Sequence, residues 1–576
     1  MSINRYYEDE LAYLRDLGDA FGKANPAIAG LLSRRASDPD VERLMEGFAF
    51  LTGRLRQRLD EELPELSHGL LSLLWPHYLR PIPAMSILEF APPSSGAVVR
   101  MPAEAPVESR PIEGSACRFR TCFASDLLPF VVSRATLEEG AASAVLTLVL
   151  TSRGGAAPAL LAGVRPRLFL HGGRAAGLGQ RLLRLLLTDL VAIEAGSQRL
   201  PLPVAGMAHA GFGPGEAVLP WPDNAFPGYR IMQEYLAFPD RFLFVDLPPL
   251  PDAALAGAEV ELRFLIGRKP DLPGRIGPEN FRLNCVPVIN LYPAEVAPLS
   301  PDPGRLEHRL VPEWPASRFA RVHSVDRVEG AVQGRGERIP YPAFESFRHA
   351  LPAGGGRFYR ARRRPSVVGR GTEVWLSFVD GRDQAAGPEA DVISAAVTCT
   401  DGELAELVPI GGIDQVAVGS PASGGFSNIT PVMPEASPPL GGDTLWRLVS
   451  GLARSLRPLD DIGSLAALIA GYDFRATQDE QARQRLGLLL GGLKSIQVDP
   501  MEVLIGAIPV RGRLVTLTVA ESGFGGAAGA FLFGAVFDAF IGVHAGLNTC
   551  YRLTVRGTET SALFTWPVRA GQGPVL

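Results

Sequence analysis

Asp38-Pro39-Asp40-Val41-Glu42-Arg43-Leu44-Met45-Glu46-Gly47-Phe48-Ala49-Phe50-Leu51-Thr52-Gly53-Arg54-Leu55 carries the most readable pattern in the chain. Asp38 is a good helix N-cap, and Pro39 suits the first helical position, where its missing N–H costs nothing. Val41, Leu44, Phe48, Leu51 and Leu55 then follow a 3-4-3-4 spacing, the seam of a coiled coil over about two heptads. Arg54, Arg56, Arg58, Asp60 and Glu61 lie mostly off that seam. Such a helix would run about 20 residues, or about 30 Å. Burying five seam side chains would contribute on the order of 10 kcal/mol gross.

Outward from this stretch, Tyr6 to Arg15 reads as an earlier helix, with Leu11, Leu14, Gly18 and Phe21 on one face. A third helix opens at Leu63-Pro64-Glu65-Leu66 and is apolar nearly all round through Leu70, Leu71, Leu73, Leu74 and Trp75, before Pro76 ends it. A helix apolar on every side must be enclosed. Three helices with two apolar-rich members make a thin bundle. The seam is therefore covered either within the chain or by a partner helix, and the pattern alone leaves both open.

From Ser86 the period changes to two. Met85–Phe90, Ala144–Leu150, Cys117–Cys122, Asp240–Leu247, Glu259–Ile266 and Glu373–Val379 read as strands, and Leu182–Ile193 fits helix or strand. Pro431–Pro439 reads as a linker. Beyond it, Asp443 caps a helix carrying Leu445, Leu448, Val449, Leu452 and Leu456. Helices follow over Ser464–Ala470, Gln478–Leu490 and Phe531–His544, with strands at Pro509–Val519, Asn548–Val555 and Leu563–Val568. The expected architecture is α+β. A helical bundle spans 1–85, a β-rich, sandwich-like domain 86–300, a second β-rich domain with linker 301–435, and an α+β domain 436–576.

Composition narrows the classes. A chain of 576 residues is too long for one core. Hydrophobic residues make up 46% and the net charge is −5, which favours globular cores and argues against bulk nucleic-acid binding. The 63 glycines and 50 prolines suit many turns between short strands, although a GC-rich genome would enrich Ala, Arg, Gly and Pro together. Met1 to Leu17 is charged and lacks the apolar core of a secretion signal. The most apolar stretch, Ala530–Leu547, contains Asp538 and His544, so no membrane insertion is expected. An odd, scattered set of five cysteines suits the reducing cytoplasm.

Chemistry-bearing motifs are weak. Cys117 and Cys122 fall on opposite faces of a regular strand, which disfavours a shared metal. Gly523-Phe524-Gly525-Gly526-Ala527-Ala528-Gly529 precedes a helix but lacks the Lys-Ser/Thr of a phosphate loop. Arg360-Ala361-Arg362-Arg363-Arg364-Pro365 is basic, with only Tyr359 beside it to stack on a base; an acidic partner surface and a solvated segment both fit. Asp460-Asp461 reads as a helix cap rather than a catalytic pair. His68 and His77 show no ligand spacing, and no cofactor or metal is expected. Phe226, Tyr229, Tyr235, Phe238, Phe242 and Phe244 crowd aromatics around Glu234. Either this is core, with Glu234 bonded to backbone or an Arg, or Tyr229, Glu234, Tyr235 and Phe238 belong to a docking surface.

In ordered blocks the chain resembles the TssF family of type VI secretion baseplate subunits, also called VasA or ImpG. The blocks are Tyr6–Arg15, Asp38–Leu51, Glu61–Leu66, Pro76-His77-Tyr78-Leu79-Arg80-Pro81-Ile82-Pro83, Cys117–Cys122, Gly228–Pro239 with Phe242-Leu243-Phe244, Asn284–Tyr292, Trp446-Arg447-Leu448 and Phe531–Gly534. Thr400-Asp401-Gly402 stands where the family pattern has Thr-Asn, and Arg454–Pro458 replaces a Leu-Asn-containing stretch, so the resemblance does not carry the detailed contacts of residues 400–460. It implies a non-enzymatic, cytoplasmic wedge subunit at the inner face of the inner membrane. Copies would pair around TssG, in a wedge with TssE and TssK. The wedges would ring the VgrG spike, dock on the membrane complex and receive tube and sheath. The resemblance also implies an N-terminal bundle shared with TssG. Two other classes stay in play: a wedge protein of another contractile injector such as a phage tail, and a β-sandwich enzyme acting on glycans, for which no acid pair can be assigned.

Overall fold

The computed structural model describes residues 11, 43, 46–52 and 68–571, apart from 442–460 and the short segments 174, 223–224, 226, 258, 302–304, 315–318, 333–337, 346–356, 367–369, 381–386, 389, 423, 506–507 and 545–548. The chain divides into two units, Met1–Leu74 with Leu440–Ser450, and Trp75–Pro439 with Gly451–Leu576.

In the first unit Leu11, Arg43 and residues 46–52 and 68–74 are helical. These pieces do not establish the expected bundle over 1–85, most of which lies outside the described residues. The helical reading also runs too far. Pro76 starts a 3-10 turn at Pro76–Leu79, and a strand follows at Met85–Phe90. The helix expected after Asp443 lies outside the described residues.

In the second unit, six strands lie in the order Ile413–Val416, Pro106–Ser109, Arg118–Thr121, Cys285–Ile289, Met85–Phe90, Phe426–Asn428. The two end strands meet through Asn428: its carbonyl accepts Gly411 N–H and its side-chain oxygen accepts Ile413 N–H, each at 2.9 Å. The sheet thus closes on a core that includes Leu88, Val107, Phe119, Val286, Val288 and Ile413. It draws strands from both sides of residue 300, so the expected boundary there is crossed by hydrogen-bonded pairing. Pro431–Pro439 is no free linker. Met433 and Ala436 bridge to Met85 and Ile82, and Val432 and Ala436 are buried.

A five-stranded sheet, with Glu259–Ile266 paired to Ala144–Ser152 over its whole length, forms one further layer. Another five-stranded sheet, centred on Tyr292–Val296, Val392–Thr400 and Arg321–Ala331, shares a core with the three-stranded sheet of Glu307–Arg309, Thr372–Val379 and Phe358–Pro365. Strict alternation in Thr372–Val379 buries Val374, Leu376 and Phe378 on one face, which is why that strand reads cleanly. The ambiguous stretch Leu182–Ile193 resolves into both elements: helix α1 (Leu178–Thr188) turns at Asp189 into strand Leu190–Ala195.

The C-terminal part is α+β. Helices α3 (Ile462–Tyr472) and α4 (Glu480–Gly492) follow α2 (Pro227–Ala237) in chain order. A long hairpin, Leu493–Ile505 with Ile508–Val519, comes next. Helix α5 (Ala527–His544) then crosses over to Cys550–Gly557, which pairs in parallel with the hairpin's second strand.

Candidate partner-binding surfaces

The seam that motivates partner binding is only partly visible. Val41, Leu44 and Leu55 lie outside the described residues. Phe48 and Leu51 sit in the helical stretch 46–52 and are 58% and 60% exposed, while Ala49 between them is fully buried. Phe50, Leu70 and Leu74 are also exposed. Large apolar side chains held on ordered helix and left in water are the usual mark of a surface completed by another chain.

The aromatic block behaves differently. Pro227 opens α2, whose inward face includes Tyr229, Met232 and Glu234. Glu234 has no solvent exposure. One carboxylate oxygen accepts Val218 and Leu219 N–H at 2.9 Å each, and the other takes the Arg241 guanidinium, itself 3% exposed. Arg241 also donates to the carbonyls of Gly211 and Glu216. Its inward turn explains why Asp240–Leu247 is not the expected single strand. Pro239–Phe242 forms a 3-10 turn that aims Arg241 at Glu234, and the strand is only Phe244–Asp246.

Tyr229 stacks on Tyr472 at 5.3 Å and reaches Phe540; Tyr235 meets Phe533 at 5.7 Å; Phe238 is fully buried. Glu234 and Phe238 therefore offer no surface to a partner, while Tyr229 is buried and Tyr235 stays half-buried. Its aromatics fasten α2 to α3 and α5 inside the chain. Phe226 lies outside the described residues.

The same core receives the Pro76–Pro83 block. His77 packs on Trp221 at 3.7 Å, and Tyr78 meets Tyr472 and Phe474 edge-on while its hydroxyl donates to Gly471 O at 2.7 Å. Burial, with Arg80 nearby, pushes the His77 imidazole down to about 3. Three stretches far apart in sequence, at 76–83, 228–239 and 531–540, thus converge on one aromatic centre.

The remaining motifs have structural partners. In Arg360–Arg364 the charges meet acids: half-buried Arg360 with Glu345 at 2.7 Å, exposed Arg364 with Glu307 at 2.7 Å. Arg363 donates inward to the Val322 and His323 carbonyls, and burial brings its pKa down to about 10. Such internal pairing leaves little free charge for phosphates. Asp461 caps α3 through Ser464 N at 2.8 Å; Asp460 lies outside the described residues. The glycine-rich loop makes a turn, with Gly525 and Gly526 at φ +77° and +107°. Cys117 is buried in the closed sheet's core and Cys122 packs against its rim; both are free thiols. Among the described residues, no group of three or more His, Cys, Asp or Glu could hold a metal ion, and no helix is long and apolar enough to cross a membrane.

Many small sheets and apolar helix surface left in water, both among the described residues, define a multi-sheet α+β protein with a surface open to assembly. The family model described as "Type VI secretion system, TssF" matches residues 1–573, and the chain belongs to the TssF family. It is 30% identical to the type VI secretion system component TssF1 of Pseudomonas aeruginosa, over 99% of both chains. A chain of a TssK-TssF-TssG baseplate subcomplex solved by cryo-electron microscopy superposes with TM-score 0.72 at 28% identity, covering 92% of this chain and 99% of that one. A chain of another type VI baseplate complex gives 0.61 at 25% identity with full coverage of both. These matches favour type VI secretion over other contractile injectors and over a glycan-active enzyme.

Proposed function

We propose that this chain is a non-catalytic wedge subunit that holds baseplate components in register and passes a change of ring shape to the sheath. TssG would cover the helical seam of Val41, Leu44, Phe48, Leu51 and Leu55. TssK and a second copy of the chain would complete the wedge with TssE, while the VgrG spike, sheath and membrane complex engage the assembled ring. The complex would work in the cytoplasm against the inner face of the inner membrane. The observation that carries this reading is the exposure of Phe48 and Leu51 on one helical stretch. The expected divisions 86–300 and 301–435 serve this role as joined bodies rather than separable ones, because the closed sheet takes strands from both.

Co-expression with TssG and TssK, followed by size-exclusion chromatography, tests the proposal. A stable co-eluting complex is expected; a folded chain that elutes alone in the presence of both would overturn it.

A further inference from the structure

The closed six-stranded sheet and the second five-stranded sheet are joined at two chain crossings. Cys285–Ile289 passes through Asn290 and Leu291 into Tyr292–Val296, and Val392–Thr400 passes through Asp401 on its way to Ile413–Val416. Asn290 and Asp401, one at each crossing, are both fully buried. They bind each other reciprocally. Asp401 N–H donates to Asn290 Oδ1 at 2.7 Å, and Asn290 Nδ2 donates to Asp401 Oδ2 at 2.8 Å.

The same two side chains reach into both sheets. Asn290 Nδ2 also donates to Arg118 O at 2.6 Å, and Arg118 N–H donates to Asp401 Oδ2 at 2.8 Å, which ties them to the closed sheet. Tyr292 O–H donates to Asp401 Oδ1 at 2.9 Å, which ties them to the five-stranded sheet. The carboxylate therefore faces only donors on both oxygens, an arrangement that a two-oxygen acceptor satisfies and an amide does not. A second tie runs alongside. Arg321, from the five-stranded sheet, bonds Glu403 at 3.1 Å and lies 3.5 Å from Glu435. Gly402 turns beneath it at φ +53°, where a Cβ would meet Arg321 Nε at 2.8 Å.

We propose that the Asn290–Asp401 pair is a latch that fuses the two sheets into one lever, and that without it the crossings at 290–291 and 401–402 act as a hinge. Two short single-chain connections side by side define a rotation axis. Cross-bonds between them, anchored to a strand on one side and a tyrosine on the other, oppose motion about it. The property belongs to the isolated chain, so it goes beyond partner docking and does not depend on it.

Hydrogen–deuterium exchange on the full-length chain tests the latch, using the graded series Tyr292→Phe, Asp401→Asn and Asp401→Ala. Lost charge-assisted bonds should raise exchange around 290–292 and 401–404 by roughly tenfold or more in Asp401→Ala, and by less in the two milder variants. Peptides from Met85–Phe90 and from the outer strand Arg338–Tyr341 should stay near the parent rate. Unchanged exchange at both crossings, or an equal rise throughout the chain, would overturn the latch. Tyr292→Phe keeps the carboxylate and Asn290 in place, so it reports even if Asp401→Ala fails to fold. TssG co-elution is scored in the same variants: its retention beside raised local exchange supports a latch distinct from docking, and its loss with unchanged exchange counts against the latch alone.

Discussion

Asn428 Oδ1 accepts the backbone N–H of Ile413 at 2.9 Å, and this bond joins the last strand of the six-stranded sheet to the first. The Asn428 amide nitrogen also donates to the Pro409 and Thr430 carbonyls, and the residue is 1% exposed. The side chain thus works beside the single backbone bond from Gly411 N–H to Asn428 O to close the sheet. Asn428→Ala strands the buried Ile413 N–H and the buried Thr430 carbonyl, while the more exposed Pro409 carbonyl can turn to water, and is expected to cost about 2–3 kcal/mol. Asn428→Asp at neutral pH should also destabilise, because its carboxylate would face those two carbonyls. Urea denaturation gives both values; a loss under about 0.5 kcal/mol, the scale of an ordinary surface change, would mean the closure is ornamental.

Glu234 and Arg241 should report fold rather than docking. Glu234→Ala leaves Arg241 charged in the core and removes the acceptor for Val218 and Leu219 N–H. Breaking such a buried pair from one side costs about 3–5 kcal/mol. The double change Glu234→Leu with Arg241→Met should cost less than Glu234→Ala alone, since the buried Arg241 charge leaves with its partner and only the more exposed Arg230, 3.8 Å from Glu234, loses its acid. Were Glu234→Ala as stable as the parent yet deficient in partner binding, the docking reading would return.

Acid stability follows from three desolvated groups with opposing signs, His77 and Asp538 buried and His209 half-buried. His209 donates to Phe242 O at 2.7 Å, and burial pushes its pKa down to about 4; His77 lies at about 3. Both are neutral in the fold and take a proton on unfolding. Their contribution is present above pH 6.5 and is lost as pH falls toward 4 and 3. Burial pushes Asp538, in the apolar α5, the other way to about 6, with Arg569 at 3.0 Å only partly offsetting it. Its contribution is full below pH 3.8 and is lost as pH rises through 6. Asp538→Asn is therefore expected to raise the melting temperature at pH 7.5, by about 1–3 kcal/mol of stability, and to do little at pH 3.8. Calorimetry at the two pH values decides, and an equal shift at both would refute the titration account.

How much the sequence discloses depends on whether its pattern is local. Glu259–Ile266 reads correctly because one face meets a core and the other does not. Leu493–Ile505 is missed: Pro500 and Asp499 interrupt the pattern, and an edge strand has little burial to impose alternation. Asp240–Leu247 misleads because aromatic content suggests strand, whereas Pro239 and the inward Arg241 set a turn. Pairing of Phe426–Asn428 with Met85–Phe90 spans over 330 residues and leaves no local trace. At the candidate surfaces the 3-4 spacing marks Phe48 and Leu51 directly, but aromatic density around Glu234 is the same for a core as for an interface. Only the burial of its carboxylate separates the two.

The seam supplies the sharpest test of assembly. Phe48 and Leu51 make little use of their apolar surface within the chain, so Phe48→Asp with Leu51→Asp should leave isolated stability within about 1 kcal/mol and improve solubility. A partner helix that buries both side chains gains about 1.5–3 kcal/mol from each. Removing both should weaken TssG binding by a hundredfold or more, which a pull-down at micromolar protein would read as loss of the complex. Ala49→Asp is the contrasting control: Ala49 is fully buried, so its change should damage the chain itself before any partner is offered. A folded Phe48→Asp, Leu51→Asp variant that still retains TssG would show that the seam is covered by something else.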